Sequence, residues 1–294
     1  MLRNPQAEEW TGENVSIAAI ERQLASLRQS TSEETEGPDL RTSVMTHMAW
    51  APEDWLEQAT ETLSGLAERH PSRTLILVPD PDGDDRLDAE LSVRCFPVSG
   101  QHQNVCSEVI QLRLGGQRAR APASIVQPLL IADLPVFLRW RGEPPFGAPQ
   151  FEQLCDVADR LVVDSSEWES LPDAYGRLAE RFDHVAVSDI AWSRTLEWRR
   201  SIAKLWPGIA QVRAVSVQGP QADALLLAGW LRSRLGRAVE LRHDAREKIA
   251  RIELDGEPVA AAGEQPRTPS DLLSDELDIF ERDPRYEEAA RAAG

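Results

Sequence analysis

The sequence predicts an α/β protein: a mixed β-sheet with helices on both faces, followed by a smaller α/β C-terminal unit. Three observations carry this. Short apolar runs, Thr74–Val78 and Leu161–Val163, read as strands buried on both faces. Segments with apolar residues at helical spacing alternate with them. The 294 residues give enough chain for a substantial core.

The elements follow in order. Ile17, Ile20, Leu24 and Leu27 form one helical stripe inside an acidic lead-in, residues 1–40, and Ser30–Pro38 reads as a flexible linker. Thr42–Trp50 reads as a strand. Pro52 opens a helix with Glu53 and Asp54 in its first turn, where the dipole favours them. Leu56, Ala59, Leu63 and Leu66 are its buried stripe. The acidic turn Asp80–Asp85 has its glycine fourth rather than sixth, so it reads as a solvated hairpin turn, not a calcium loop. Leu91, Val93 and Cys95 alternate as a strand, as do Ile110, Leu112 and Leu114. A helix over Ala123–Ile131, disturbed by Pro128, precedes a short strand, Leu134–Trp140, and a loop, Arg141–Pro149.

Trp168–Phe182 and Trp192–Trp206 read as helices. Val212–Val217 is a strand, Ala222–Leu235 a helix closed by Gly236, and Val239–Leu241 and Ile249–Leu254 are strands. Asp255-Gly256 marks a hairpin turn. Leu273, Leu277 and Phe280 stripe one late helix, and Asp283-Pro284 starts another. The expected divisions are the 1–40 lead-in, an N-terminal α/β domain over 41–185, a C-terminal α/β unit over 186–260, and a linker with helices over 261–294.

Composition excludes several functions. Charge is 32 − 49 = −17, so attraction to nucleic-acid phosphates is not expected. The longest apolar run, near Ala224–Leu231, is too short to span a membrane, and no apolar leader is seen, so the cytoplasm is the expected compartment. Two of the 32 cations are lysines, Lys204 and Lys248; the rest are arginines. Nine tryptophans stand against two tyrosines, and Trp and Arg are frequent interface anchors.

No phosphate-cradling glycine loop, nucleophile elbow, metal-spaced His/Cys set or CxxC is found, so no catalytic residue, metal or cofactor is expected. Cys95 and Cys106 flank a connection between two strands, and Cys155 reads as a packed thiol. His70, Ser72 and Arg73 sit between a helix end and a strand, as a possible anion loop or as scaffold. Trp192, Arg194, Trp198, Arg199 and Arg200 place Trp and Arg on two faces of one helix. Trp140 and Arg141 end a strand beside a Pro-rich loop, at an expected rim of the sheet. These seven are the expected partner-binding residues.

An ordered series of stretches resembles the glucose-6-phosphate dehydrogenase assembly protein (OpcA) family. They are Arg41–Val44, His70–Arg73, Ser107–Leu114, Gln127–Trp140, Asp159–Ser165, Asp189–Arg199 and Leu225–Leu231. The resemblance covers about residues 41–255. It implies a non-catalytic, cytoplasmic scaffold or activator that binds glucose-6-phosphate dehydrogenase and promotes its assembly in the oxidative pentose phosphate pathway. The alternative is a sugar-phosphate-binding enzyme or a ligand-sensing regulator using the His70–Arg73 loop.

Overall fold

The structure is a computed structural model, and it describes residues 8–34, 39–40, 43–66, 69–97, 104–260 and 267–294. The chain divides into two compact units, residues 1–161 and 162–294.

In the first unit, β1 (Glu8–Gly12) and α1 (Ile17–Glu34) precede β2 (Asp39–Leu40) and β3 (Met45–Trp50). Then come α2 (Glu53–Ser64), β4 (Ser72–Asp80), β5 (Leu87–Pro97) and β6 (Asn104–Gly115). α3 (Gln117–Arg120), α4 (Ala123–Val126), β7 (Val136–Trp140) and α5 (Pro149–Val157) follow; β8 (Arg160–Val163) holds the division between units. The sheet of this unit runs β1-β5-β6-β4-β3-β7, with β2 also on β6. β3 is parallel to β4 and β7, and β4 is parallel to β6. β5 is antiparallel to β6 and β1.

The side-chain pattern follows this placement. β4 is central and buried on both faces, so Leu75, Ile76, Leu77 and Val78 are all apolar. β5 lies near an edge and alternates: Leu87, Ala89, Leu91 and Val93 are buried while Glu90 and Arg94 are exposed. α1 packs on β5 and β6 through Ile20, Leu24 and Leu27. The lead-in helix therefore docks on the body and continues to Glu34, into the stretch expected as linker; residues 35–38 lie outside the described set. Asp80–Asp85 is a crossover rather than a hairpin turn, because β6 lies between β4 and β5. Cys95 and Cys106 stand directly opposite in the β5–β6 register, and Cys106 is disulfide-bonded.

The second unit contains α6 (Asp173–Ala179), β9 (Ala186–Asp189), α7 (Ile190–Arg194), α8 (Leu196–Ala203), β10 (Ala214–Gly219) and α9 (Gln221–Leu235). β11 (Glu240–Ala245), β12 (Arg251–Leu254), β13 (Glu257–Pro258), α10 (Pro269–Leu277) and α11 (Pro284–Ala293) complete it. Its smaller sheet has the order β11-β10-β12-β13. Asp255 (φ 49°) and Gly256 (φ 89°) make the β12–β13 turn, both in the left-handed region that a primed two-residue turn requires. Val215, Val217, Ile252 and Leu254 pack against Ala224, Leu227, Ala228 and Leu231 of α9.

α9 is apolar nearly all round because α11 packs against it as well. The close approach depends on Gly229: a Cβ there would sit 2.1 Å from the Ala289 carbonyl oxygen and 3.0 Å from the Ala293 nitrogen. The facing residues of α11, Ala289, Ala290 and Ala293, are small and buried. We expect Gly229→Ala to destabilise the protein by about 1–3 kcal/mol, as overpacking does, and to expose α11 to limited proteolysis. Gly176 of α6 has nothing within 4 Å of such a Cβ, so Gly176→Ala is expected to be neutral or stabilising. Equal urea midpoints for the two variants would refute this reading of the α9–α11 contact.

Candidate functional site

The His70–Arg73 stretch is built into the first unit's core. Arg73 is 5% exposed on β4 and stands opposite Glu108 in the β4–β6 register. Its Nε donates to Glu108 Oε2 (2.8 Å); its Nη1 donates to Glu21 Oε1 of α1 (2.9 Å) and to the Leu129 carbonyl (2.8 Å). Arg28 of α1 pairs with the other oxygen of Glu108. The anion that answers Arg73 is thus supplied by this chain. Ser72 is buried, its hydroxyl 3.2 Å from that of Thr74. His70 is buried near His47, whose pKa is lowered to about 3 by burial and then by the charges of Arg139 and His70.

Trp140 is not at a rim. It is 3% exposed, stacks on Trp50 at 4.8 Å and meets the edge of Phe151 from α5 at 5.0 Å. Sequence reading missed α5, which begins at Pro149 and buries Phe151, Leu154 and the thiol of Cys155. Arg141 is 9% exposed, with its guanidinium 4.6 Å above Trp55 and Nη2 donating to Gln58 Oε1 (2.9 Å).

The helix expected over 192–206 is two helices, α7 and α8, that meet at Thr195. Thr195 is fully buried, and its hydroxyl donates to the Trp192 carbonyl (2.8 Å). Trp192 is 6% exposed, with Nε1 donating to Asp283 Oδ2 (2.9 Å). Arg199 lies 3.3 Å from the centre of the Trp192 ring and donates to Thr195 Oγ1 (3.0 Å) and the Trp192 carbonyl (3.1 Å). Burial lowers its pKa to about 10, so it stays charged at neutral pH. Trp198 packs in the core of the smaller sheet.

Arg194 forks onto two carboxylates. Its Nη1 and Nη2 donate to Asp164 (2.9 and 3.1 Å), and Nη2 also donates to Asp223 Oδ1 (3.0 Å). Burial opposes its charge, but Asp164 and Asp223 more than offset that and raise its pKa further. A third carboxylate, Asp189, is 1% exposed and caps α7: Oδ1 accepts from Ser165 N–H (3.1 Å) and Ala191 N–H (2.9 Å). Tyr286 O–H donates to its Oδ2 at 3.3 Å. Burial, then the Asp164 charge, raises the Asp189 pKa to about 7, against the hydrogen bonds that favour its charged form. The cluster joins β9, α7, α9 and α11 around one guanidinium. Ser166 Oγ also donates to Asp164 Oδ1 (2.6 Å). Among the described residues no group of three or more His, Cys, Asp or Glu is placed to hold a metal.

Of the seven expected docking residues, Arg200 is the exposed one, and it pairs with Glu197. The exposed aromatic of this region is Trp206, which sequence reading absorbed into the helix. α8 ends at Ala203, and Leu205 (47% exposed) and Trp206 (63% exposed) project beside Lys204. The signal was present: two large apolar residues stand directly before the helix breaker Pro207-Gly208.

The Asp189 geometry gives a pH test. Its folded-state pKa lies above the unfolded value, so its stabilising contribution is full below about pH 4 and is lost as pH rises towards 7. Asp189→Asn keeps an acceptor for both N–H groups and removes the titration. Relative to wild type, its stability in urea unfolding is expected to improve between pH 5 and pH 7.5. A difference between the two proteins that does not change with pH would rule out this assignment.

The sequence model for the glucose-6-phosphate dehydrogenase subunit N-terminal domain matches residues 64–180, and that for its C-terminal domain matches residues 185–290. Three curated relatives are each named putative OxPP cycle protein OpcA. The Synechocystis sp. protein is 28% identical over 182 residues, covering 58% of this chain and 38% of the relative. The Synechococcus elongatus protein is 26% identical over 224 residues, covering 67% and 50%. The Nostoc punctiforme protein is 28% identical over 182 residues, covering 58% and 39%. The chain thus spans half or less of the length of the curated relatives it matches. With both family domains matched in succession, this chain belongs to the OpcA family of glucose-6-phosphate dehydrogenase assembly proteins.

Proposed function

We propose that this chain is a non-catalytic scaffold that binds glucose-6-phosphate dehydrogenase and promotes its assembly and activity in the oxidative pentose phosphate pathway, in the cytoplasm. The observation that carries this reading is the pair of successive family domains over residues 64–180 and 185–290. The buried ion clusters support it in kind: Arg73 and Arg194 are engaged by this chain's own carboxylates, which leaves neither as a substrate-binding cation. No helix among the described residues is long and apolar enough to cross a membrane. The alternative, a sugar-phosphate site at His70–Arg73, would need Arg73 released from Glu21 and Glu108.

The proposed docking surface is the exposed end of the α8 segment, Arg200, Lys204, Leu205 and Trp206. A solvent-exposed Trp beside Leu has the chemistry of an interface anchor, and the two cations give it a polar rim. Trp192, Trp198, Arg194 and Arg199 are packed inside the second unit and Trp140 inside the first, so none of them enters this proposal as a contact.

The test is co-sedimentation and activity with the cognate dehydrogenase, both proteins at micromolar concentration. Wild type is expected to shift the dehydrogenase's oligomer distribution or raise its rate. Trp206→Ala is expected to fold normally and lose about 2 kcal/mol of binding, roughly thirtyfold in affinity. Trp198→Ala is expected to lose about 3–5 kcal/mol of stability instead, as truncation of a buried Trp does. Arg199→Glu is expected to fail as a fold, Arg200→Glu to fold. Wild-type binding and activation by both Trp206→Ala and Leu205→Ala would move the docking surface elsewhere. Unchanged rate and sedimentation with wild-type protein would defeat the scaffold reading itself.

A further inference from the structure

The second unit holds a cationic hollow at the far end of α9. Arg213, Arg232 and Arg237 line an open cavity of about 810 Å³, with Ala238, Val239 and Ala292 as its apolar wall. Arg232 is fixed there by neutral acceptors: its Nε donates to the Val239 carbonyl (3.0 Å) and its Nη1 to the Ala292 carbonyl (2.9 Å). Arg237 makes a long contact with Gln211 Oε1 (3.4 Å), and Arg213 is exposed.

The nearby carboxylates do not answer these three charges. Glu240 lines the cavity but pairs with Arg242 (3.1 Å). Glu288 pairs with Arg234. Asp255 accepts the backbone N–H groups of Arg213 (3.0 Å) and Ala214 (2.8 Å). Five guanidiniums (213, 232, 234, 237 and 242) against three carboxylates (240, 255 and 288) leave a local surplus of 5 − 3 = +2 in a chain of net charge −17. The C-terminal end of α9 also points here, and its dipole alone would repel an anion. Like charges gathered along one open hollow repel modestly through water, and a bound anion would relieve that repulsion.

The geometry points to a binding site for a small phosphorylated ligand, one whose phosphate groups carry about two to three negative charges. Planar guanidiniums bind phosphate bidentately, which suits Arg213 and Arg237 around the fixed Arg232. The hollow is shallow and open to solvent but wider than a bare phosphate, so an organic body would lie along Ala238, Val239 and Ala292. Gly236, the left-handed residue that ends α9 (φ 59°), has nothing within 4 Å of an added Cβ, which keeps this edge open. The site stands independently of the dehydrogenase-docking proposal.

The test is isothermal calorimetry and thermal melting of the full chain at low ionic strength, with inorganic pyrophosphate as probe. Binding is expected at sub-millimolar concentration, with a raised melting temperature. Arg213→Gln and Arg237→Gln are each expected to weaken binding about tenfold, within the usual worth of one charge-assisted hydrogen bond. Arg246→Gln makes the same charge change at an exposed residue paired with Asp244 and is expected to keep wild-type affinity. No heat and no melting shift would overturn the site. So would equal weakening by Arg246→Gln, which would mean diffuse attraction. An octaglutamate peptide that binds where pyrophosphate does not would identify an acidic-protein surface and overturn the phosphate assignment.

Discussion

A guanidinium taken out of water must be answered by carboxylates or carbonyls. In a chain whose cations are almost all arginine, that constraint decides much of the structure. Arg73 meets it with Glu21, Glu108 and the Leu129 carbonyl, which ties α1 and the α4 region to the central strands. Arg194 meets it with Asp164 and Asp223, which ties the end of β8 to α7 and α9. Breaking a buried pair of this kind by removing one partner costs about 3–5 kcal/mol, so each cluster specifies its surroundings strongly. Asp189 is the consequence of a shortage: one guanidinium serves two carboxylates, and the third is left to N–H and O–H donors at a raised pKa.

The same accounting separates structure from function. Arg73, Arg194 and Arg199 are spent on the interior, and Trp140, Trp192 and Trp198 are spent on cores. The groups proposed to meet other molecules are the exposed Trp–Leu pair after α8 and the arginine cluster beyond α9; Ile279 and Phe280 are exposed as well. The first has the chemistry of a protein contact and the second that of an anion site.

Much of the fold was legible in the sequence where periodicity is strong. The apolar run of β4, the stripe of α1, the closure of α9 at Gly236 and the Asp255-Gly256 turn each follow from local pattern or backbone chemistry. β1 and β9 were missed because each is four or five residues long with little apolar content, and their pairing is non-local. α5 was missed because its start at Pro149 adjoins a Pro-rich loop. The candidate site was less legible. Sequence shows that Trp and Arg share a helical segment, but not that Thr195 breaks the helix or that Asp283 and Glu276, more than 80 residues away, fold against Trp192 and Ser193. Whether a Trp is core or anchor depends on those distant partners.

The central claim is that the docking surface lies at the exposed end of the α8 segment and that the buried Trp and Arg residues are not contacts. Hydrogen exchange of the chain, alone and with saturating cognate dehydrogenase, tests this most directly. The account predicts new protection concentrated in residues 200–208, with little change at 140–141 and 190–195. Protection confined to another surface, with 200–208 exchanging as in the free chain, would contradict it.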